Sequence, residues 1–228
     1  MTPRPGEAFW SWEDLMLFLG ATLPAFFIAA ILTRTIHFSS EGVRQIAFQS
    51  MFYALLVTVL YFLIARYGNP VWDSLGWTFS FRWASLCVIA GPALALALST
   101  LASAMHAPGE TAVENLVTDR TSRVVVLLFV SFFGPLFEEL TFRGFLLPLF
   151  QKAVGAWLAI LLTAVPFALL HGSTLHWSWT SMLVIGLAGV AFGWVRVKTN
   201  STTASAIVHI GYNATFAAVF LMQAATAR

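Results

Sequence analysis

Residues 124–150 read VVVLLFVSFFGPLFEELTFRGFLLPLF, a run of Val, Leu and Phe interrupted by two adjacent carboxylates and one arginine. About 20 mostly apolar residues in a helix cross the hydrocarbon core of a bilayer, so this run is long enough to span it. An ionisable side chain at that depth is costly and by default marks function. Glu138, Glu139 and Arg143 therefore set the two questions of the chain: what encloses them, and what they do.

The rest of the sequence supplies the enclosure. Of 228 residues, 59% are hydrophobic and 10% are charged, and the mean hydropathy is +0.81. Soluble domains carry about 25% charged residues, so the composition is that of an integral membrane protein. Apolar stretches at Leu15–Ile36, Ile46–Ala65, Trp83–Ala102, Val124–Phe150, Val154–His171, Trp179–Arg196 and Ser201–Gln223 predict an all-α, polytopic transmembrane bundle of seven spans. An eighth arises if the fourth span breaks in two or the polar loop 103–123 re-enters; that loop has room for a short surface helix. Gly91-Pro92 predicts a kink in the third span. The whole chain, 1–228, reads as a single integral membrane domain.

The net charge is +2 with scattered basic residues, which gives no nucleic-acid surface. The lone Cys87 has no internal disulfide partner and reads as a buried bystander. The N-terminus, with Glu7, Glu13 and Asp14 ahead of a long apolar stretch, does not read as a cleavable signal. Basic residues divide almost evenly: Arg4, Arg66, Arg82, Lys152, Arg196 and Lys198 on one side, Arg34, Arg44, Arg120, Arg123 and Arg228 on the other. The loop 172–178 lacks Lys and Arg, which tips the N-terminus towards the cytoplasm. Trp10, Trp12, Trp72, Trp77, Trp177 and Trp179 lie near span ends and read as an interfacial belt, with His176 beside them.

Once the loops and span ends are set aside, the ionisable residues that remain are Glu138, Glu139, Arg143, His171 and His209, with Asn213 as a polar companion. Glu139 and Arg143 are i, i+4 on a helix and can pair. Glu138 points about 100° away around the helix, free of that pair. The plain alternative is that both acids only neutralise Arg143. Pro135, helped by Gly134, is expected to bend the span just before the acids. Pro166 should bend the fifth span, and Gly172 reads as the helix C-cap after His171. Alone, His171 reads equally well as an interfacial residue. His209 and Asn213 are i, i+4 and share one face of the last span. Counting a rise of about 1.5 Å per residue from the Lys152 turn puts Glu138 about 21 Å up and His171 about 28 Å up. From Asn200, His209 lies about 13 Å up and Asn213 about 19 Å up, level with Glu138.

EELTFR, FALLH and HIGYN fit the patterns EExxxR, FxxxH and HxxxN, on three separate spans. In this order they resemble the CPBP family of intramembrane proteases, also called the ABI family, which includes the Ras-converting CAAX endoprotease. The likeness covers roughly Val124–Phe220, with the catalytic motifs inside 124–223. It implies an endopeptidase that cleaves a peptide bond of a membrane-associated or lipid-anchored protein or peptide. Carried over to these positions, Glu138 would be the general base that activates water and His171 would help hold that water. His209 and Asn213 would stabilise the oxyanion, and Glu139 and Arg143 would organise the site. An apolar cavity favours a carboxylate base, and Asn and His donors suit an oxyanion hole. Ser131 and Cys87 are less well placed as nucleophiles.

A zinc enzyme is the other form of this reading, with His171, His209 and Glu138 as ligands. The lack of HExxH, and an Asn213 better suited to donate than to ligate, favour the metal-free form with no cofactor. Two further readings compete: a non-catalytic membrane scaffold or immunity protein, and a proton-coupled transporter. Confinement of the polar groups to the C-terminal half, without a repeat in the N-terminal half, speaks against transport. Compactness and the lack of eukaryotic targeting signals point to a bacterial plasma (inner) membrane.

Overall fold

The computed structural model describes residues 9–78, 81–108 and 114–226. Residues 1–8, 79–80, 109–113 and 227–228 lie outside the described set, and with them Arg4, Glu7, Arg228 and the middle of the long polar loop. Among the described residues eight helices follow one another: α1 Trp12–Arg34, α2 Glu41–Ala65, the short α3 Val71–Ser74, α4 Phe81–Ala104, α5 Arg120–Val154, α6 Ala156–Leu170, α7 Trp179–Thr199 and α8 Thr202–Thr226. A 3-10 turn at Glu114–Leu116 precedes α5, and the described residues contain no strand.

Six of these helices are long and apolar enough to cross a membrane. The fifth expected span, α6, has 15 residues, about 22 Å of helix against a hydrocarbon core of about 30 Å. The fourth span does not split: α5 continues for 35 residues. Large apolar side chains face outward on most helices, including Leu23 and Ile31 of α1, Ile89 and Leu96 of α4, and Leu161 and Val165 of α6. In water this would be one continuous apolar patch; it is the surface a bilayer covers.

Polar residues mark where the helices start. Ser11 and Asp14 form a reciprocal capping box at α1, Ser40 caps α2, and Asp119 accepts the Thr121 and Ser122 amides at α5. Gly155 turns α5 into α6 at φ +80°, and Asn200 turns α7 into α8 at φ 50°.

Helix α5 stands between two apolar cores. On one side Leu140, Phe145 and Leu149 pack with Phe18 of α1 and Leu60 and Ile64 of α2. On the other, Phe142 packs with Phe167 of α6, Val184 and Phe192 of α7, and Val208 and Tyr212 of α8. Trp10 belongs to the first core. It is 1% exposed and meets the Phe145 ring edge-on at 4.6 Å, so it is an anchor of α1 rather than part of an interfacial belt. Trp12, Trp72, Trp177 and Trp179 are exposed.

Two glycines expected to shape helices also serve close approaches. Helix α4 runs through Gly91-Pro92 without a break, and a Cβ on Gly91 would lie 2.5 Å from the Val208 carbonyl oxygen and 2.8 Å from Gly211 Cα. Gly172 is not in the left-handed conformation; a Cβ there would meet the Trp177 ring at 2.5 Å. Cys87 is buried and free.

The crossing of α4 and α8 yields a prediction. Gly91→Leu should lower the thermal midpoint in detergent, at an overpacking cost of about 1–3 kcal/mol or more. Gly20→Ala, with nothing within 4 Å of its Cβ position, should not lower the midpoint, since Ala is the better helix former.

Candidate active site

The local form of α5 is set by its prolines. The helix widens into π-turns at Phe129–Phe133 and Leu140–Leu146, directly ahead of the α-helical stretches that begin Gly134-Pro135 and Leu147-Pro148. A proline has no N–H to offer the preceding turn, and a π-turn is one way a helix absorbs that gap without ending. Between the two wide turns lie six α-helical residues, Gly134–Glu139, which carry both glutamates.

Glu139 and Arg143 are fully buried, with Arg143 Nη1 3.1 Å from Glu139 Oε1. Nη1 makes no aligned hydrogen bond there, so this is a charge contact; the directed bond of the guanidinium runs from Nη2 to the Gly189 carbonyl of α7, at 2.8 Å. Three aromatic rings cage the cation, those of Phe167, Phe192 and Phe142, at 4.8, 5.5 and 5.7 Å from the guanidinium carbon. A Cβ on Gly189 would press the Phe167 ring at 3.1 Å. A glycine there lets the α7 backbone approach the cage.

His209 of α8 joins the two carboxylates. Its Nδ1 lies 3.0 Å from Glu139 Oε1, and its Nε2 lies 3.8 Å from Glu138 Oε2. The ring stacks on Phe192 at 4.2 Å. Because Glu139 is paired with Arg143, its oxygen acts as an acceptor and the Nδ1 proton points to it, leaving Nε2 turned towards Glu138. Among the described residues Glu138 itself pairs with neither Lys nor Arg, and its side chain is 14% exposed. Tyr53 of α2 donates to its Oε1 at 3.1 Å.

His171 sits at the C-terminal end of α6. Its Nδ1 is 2.8 Å from the Phe167 carbonyl oxygen, an acceptor only, so Nδ1 carries the proton and Nε2 is free. Its ring packs on Phe167 at 4.7 Å, and the same Phe167 ring lies 5.8 Å from His209. Asn213 donates from Nδ2 to the Val130 carbonyl at 2.7 Å, in the first π-turn. His209 thus reaches the glutamates, and Asn213, one turn on, reaches backbone two turns before Glu138. The depth count set Asn213 level with Glu138 because it assumed a uniform rise, which two π-turns do not keep.

The site has parts that motif reading did not single out. Tyr53, the Gly189 carbonyl, and the Phe167 and Phe192 rings look like ordinary span residues in sequence. Arg196, counted above among the loop charges, is buried. Its Nε donates to the Arg143 carbonyl at 3.2 Å and to Thr202 Oγ1 at 3.0 Å, and its Nη1 to Asn200 Oδ1 at 2.9 Å. The turn after α3 closes over it: Thr202 Oγ1 donates to the Leu75 carbonyl at 2.6 Å, and Gly76, at φ +63°, leaves the space its guanidinium fills.

Free Nε2 atoms on two histidines, with Nδ1 tied to a carboxylate and a carbonyl, are the donor chemistry a metal ion uses. Among the described residues, however, no group of three or more His, Cys, Asp or Glu side chains converges as a metal site would.

Residues 120–215 match the family model described as Type II CAAX prenyl endopeptidase Rce1-like. All three motifs fall inside that stretch, and motif resemblance and family match agree on the CAAX-protease family. In general terms they support a CAAX-type intramembrane endopeptidase. No curated protein and no solved structure matches the chain.

The buried pair makes a stability prediction. Arg143→Ala strands Glu139 among phenylalanines and should cost about 3–5 kcal/mol, read from thermal unfolding or folded yield in detergent. The double variant Glu139→Gln, Arg143→Met, which removes both charges, should recover much of that loss. Equal destabilisation in the two would mean that packing, not charge, dominates.

Proposed function

We propose that this chain is a glutamate-dependent intramembrane endopeptidase of a bacterial plasma membrane, hydrolysing a peptide bond of a membrane-associated or lipid-anchored protein or peptide. The observation that carries the reading is the division between the two carboxylates. Glu139 is committed to Arg143 and His209, whereas Glu138, its neighbour, has no Lys or Arg partner among the described residues and keeps part of its surface open. A base must be able to accept a proton at neutral pH and to be reached by the reacting atoms, and of the two only Glu138 can be.

In this mechanism Glu138 takes a proton from water as the water oxygen bonds to the scissile carbonyl carbon. The carbonyl π electrons pass to its oxygen, giving a tetrahedral oxyanion. When that collapses, the C–N bond breaks and the proton held by Glu138 goes to the leaving amine. His171, with Nε2 free, accepts a hydrogen bond from the attacking water. Asn213 has a second Nδ2–H besides the one given to Val130 and can donate it to the oxyanion. His209, its Nδ1 proton given to Glu139, donates from Nε2 when that nitrogen also carries a proton. Donors of this kind are worth about 3–4 kcal/mol each in a dry site.

The description of the matching family model concerns CAAX prenyl endopeptidases; whether this chain requires a prenyl group on its substrate is a separate matter from the hydrolysis. The test is mass-spectrometric mapping of membrane-protein termini in source cells, with wild type compared to Glu138→Gln at equal folded abundance. Termini present only with wild type are expected, and would name the substrate. Identical profiles would move the weight to a non-catalytic scaffold. Glu138-dependent cleavage should also survive stringent chelation in purified membranes; its loss, restored by added Zn²⁺, would overturn the metal-free mechanism.

A further inference from the structure

Glu138 is held from a part of the chain that the family match leaves out. Tyr53 lies in the middle of α2, and its hydroxyl donates to Glu138 Oε1 at 3.1 Å. One turn earlier on α2, Gln49 Nε2 donates to the Tyr53 hydroxyl oxygen at 3.2 Å. The phenol ring is fixed between two rings of α5. It stacks on Phe129 at 6.1 Å and 19°, and meets Phe137 at 5.4 Å. The other groups around Glu138 are His209 from α8 and, on its own helix, Glu139 and Arg143.

We propose that Tyr53 is a positioning residue for the hydrolysis and that Gln49 acts through it. The inference rests on the reading of Glu138 as the base. A glutamate has three side-chain torsions and two chemically equivalent oxygens, and without a tether it swings between several positions. The Tyr53 bond fixes Oε1, which leaves Oε2 turned to the histidine side of the cavity, 3.8 Å from His209 Nε2. The amide of Gln49 occupies a lone pair of the phenol and so directs its single proton at the carboxylate. The bond is not needed merely to satisfy a buried hydroxyl: Gln49 is within reach, and its amide oxygen could accept that proton after a flip. A charge-assisted bond to an ionised acceptor is stronger than a neutral one, and misplacing a reacting group by about 1 Å can cost 100-fold in rate.

The test uses the full chain in detergent and a synthetic peptide spanning the cleavage site that terminus mapping identifies. Tyr53→Phe keeps the ring and removes only the hydroxyl. It should lower kcat about tenfold with KM and thermal midpoint unchanged. Gln49→Leu should lower kcat in the Tyr53 background and do nothing further in the Tyr53→Phe background, because its effect passes through the hydroxyl. A wild-type kcat in Tyr53→Phe, a loss confined to KM, or a full additional loss from Gln49→Leu in the double variant would each overturn the proposal. Should Tyr53→Phe fold poorly, Gln49→Leu alone decides by the same split between kcat and KM. If Glu138→Gln is inactive and Tyr53→Phe fully active, only the positioning role fails. If Glu138→Gln retains cleavage, or no Glu138-dependent terminus exists, the base and its positioning residue fail together.

Discussion

A carboxylate and a guanidinium that cannot reach water dictate the interior of this protein. Glu139 and Arg143 are both fully buried in a bundle whose outer surface faces lipid. Neither can be hydrated, and neither tolerates the loss of the other. Their needs recruit four helices: the pair itself on α5, the Phe167 ring of α6, the Gly189 carbonyl and Phe192 ring of α7, and His209 of α8. A second buried cation, Arg196, ties α7 to the α5 backbone and to the start of α8. A bundle of apolar helices has little to fix its rotations, because lipid contacts Leu as readily as protein does. The directional charge contacts supply what apolar packing lacks.

That constraint also gives two adjacent glutamates different surroundings. Both stand in the same short α-helical stretch between π-turns, one residue apart. Neutralising Glu139 so completely leaves Glu138 as the carboxylate of the pair with freedom to act. The wide turns contribute by opening the backbone of α5: the Val130 carbonyl, in the first of them, is the group that holds Asn213. The N-terminal half, which carries no motif, supplies more than a lipid-facing wall. Through Tyr53 it touches the open carboxylate, and through the turn at Leu75 and Gly76 it seals the end of the site near Arg196.

Much of this was legible in the chain. The apolar runs placed α1, α2, α4, α5, α7 and α8 to within a few residues, because span length is set by bilayer thickness and not by partners. The same property made every ionisable group in a span conspicuous, so Glu138, Glu139, Arg143, His171, His209 and Asn213 stood out without any contact being known. The pairing of Glu139 with Arg143 followed from spacing alone, since both lie on one helix. What spacing could not reach was anything between helices. Trp10 looked interfacial because Trp near a span end usually is, yet it is buried against Phe145. Arg196 looked like a loop charge because it ends a span. Gly91 and Gly172 looked like a kink and a cap, while their neighbours, Gly211 and Trp177, come from other segments.

The sequence by itself determined that the chain enters a membrane, how many apolar helices it makes, and which few polar groups go in with them, since each is a property of one segment in a solvent of known thickness. Only the tertiary structure decided that His209 rather than Asn213 meets the pair, and that Tyr53 reaches the other carboxylate. Those facts depend on the rotation and depth of one helix against another. In hydrocarbon, rotation and depth are set by a handful of polar contacts that exist only once the helices are assembled.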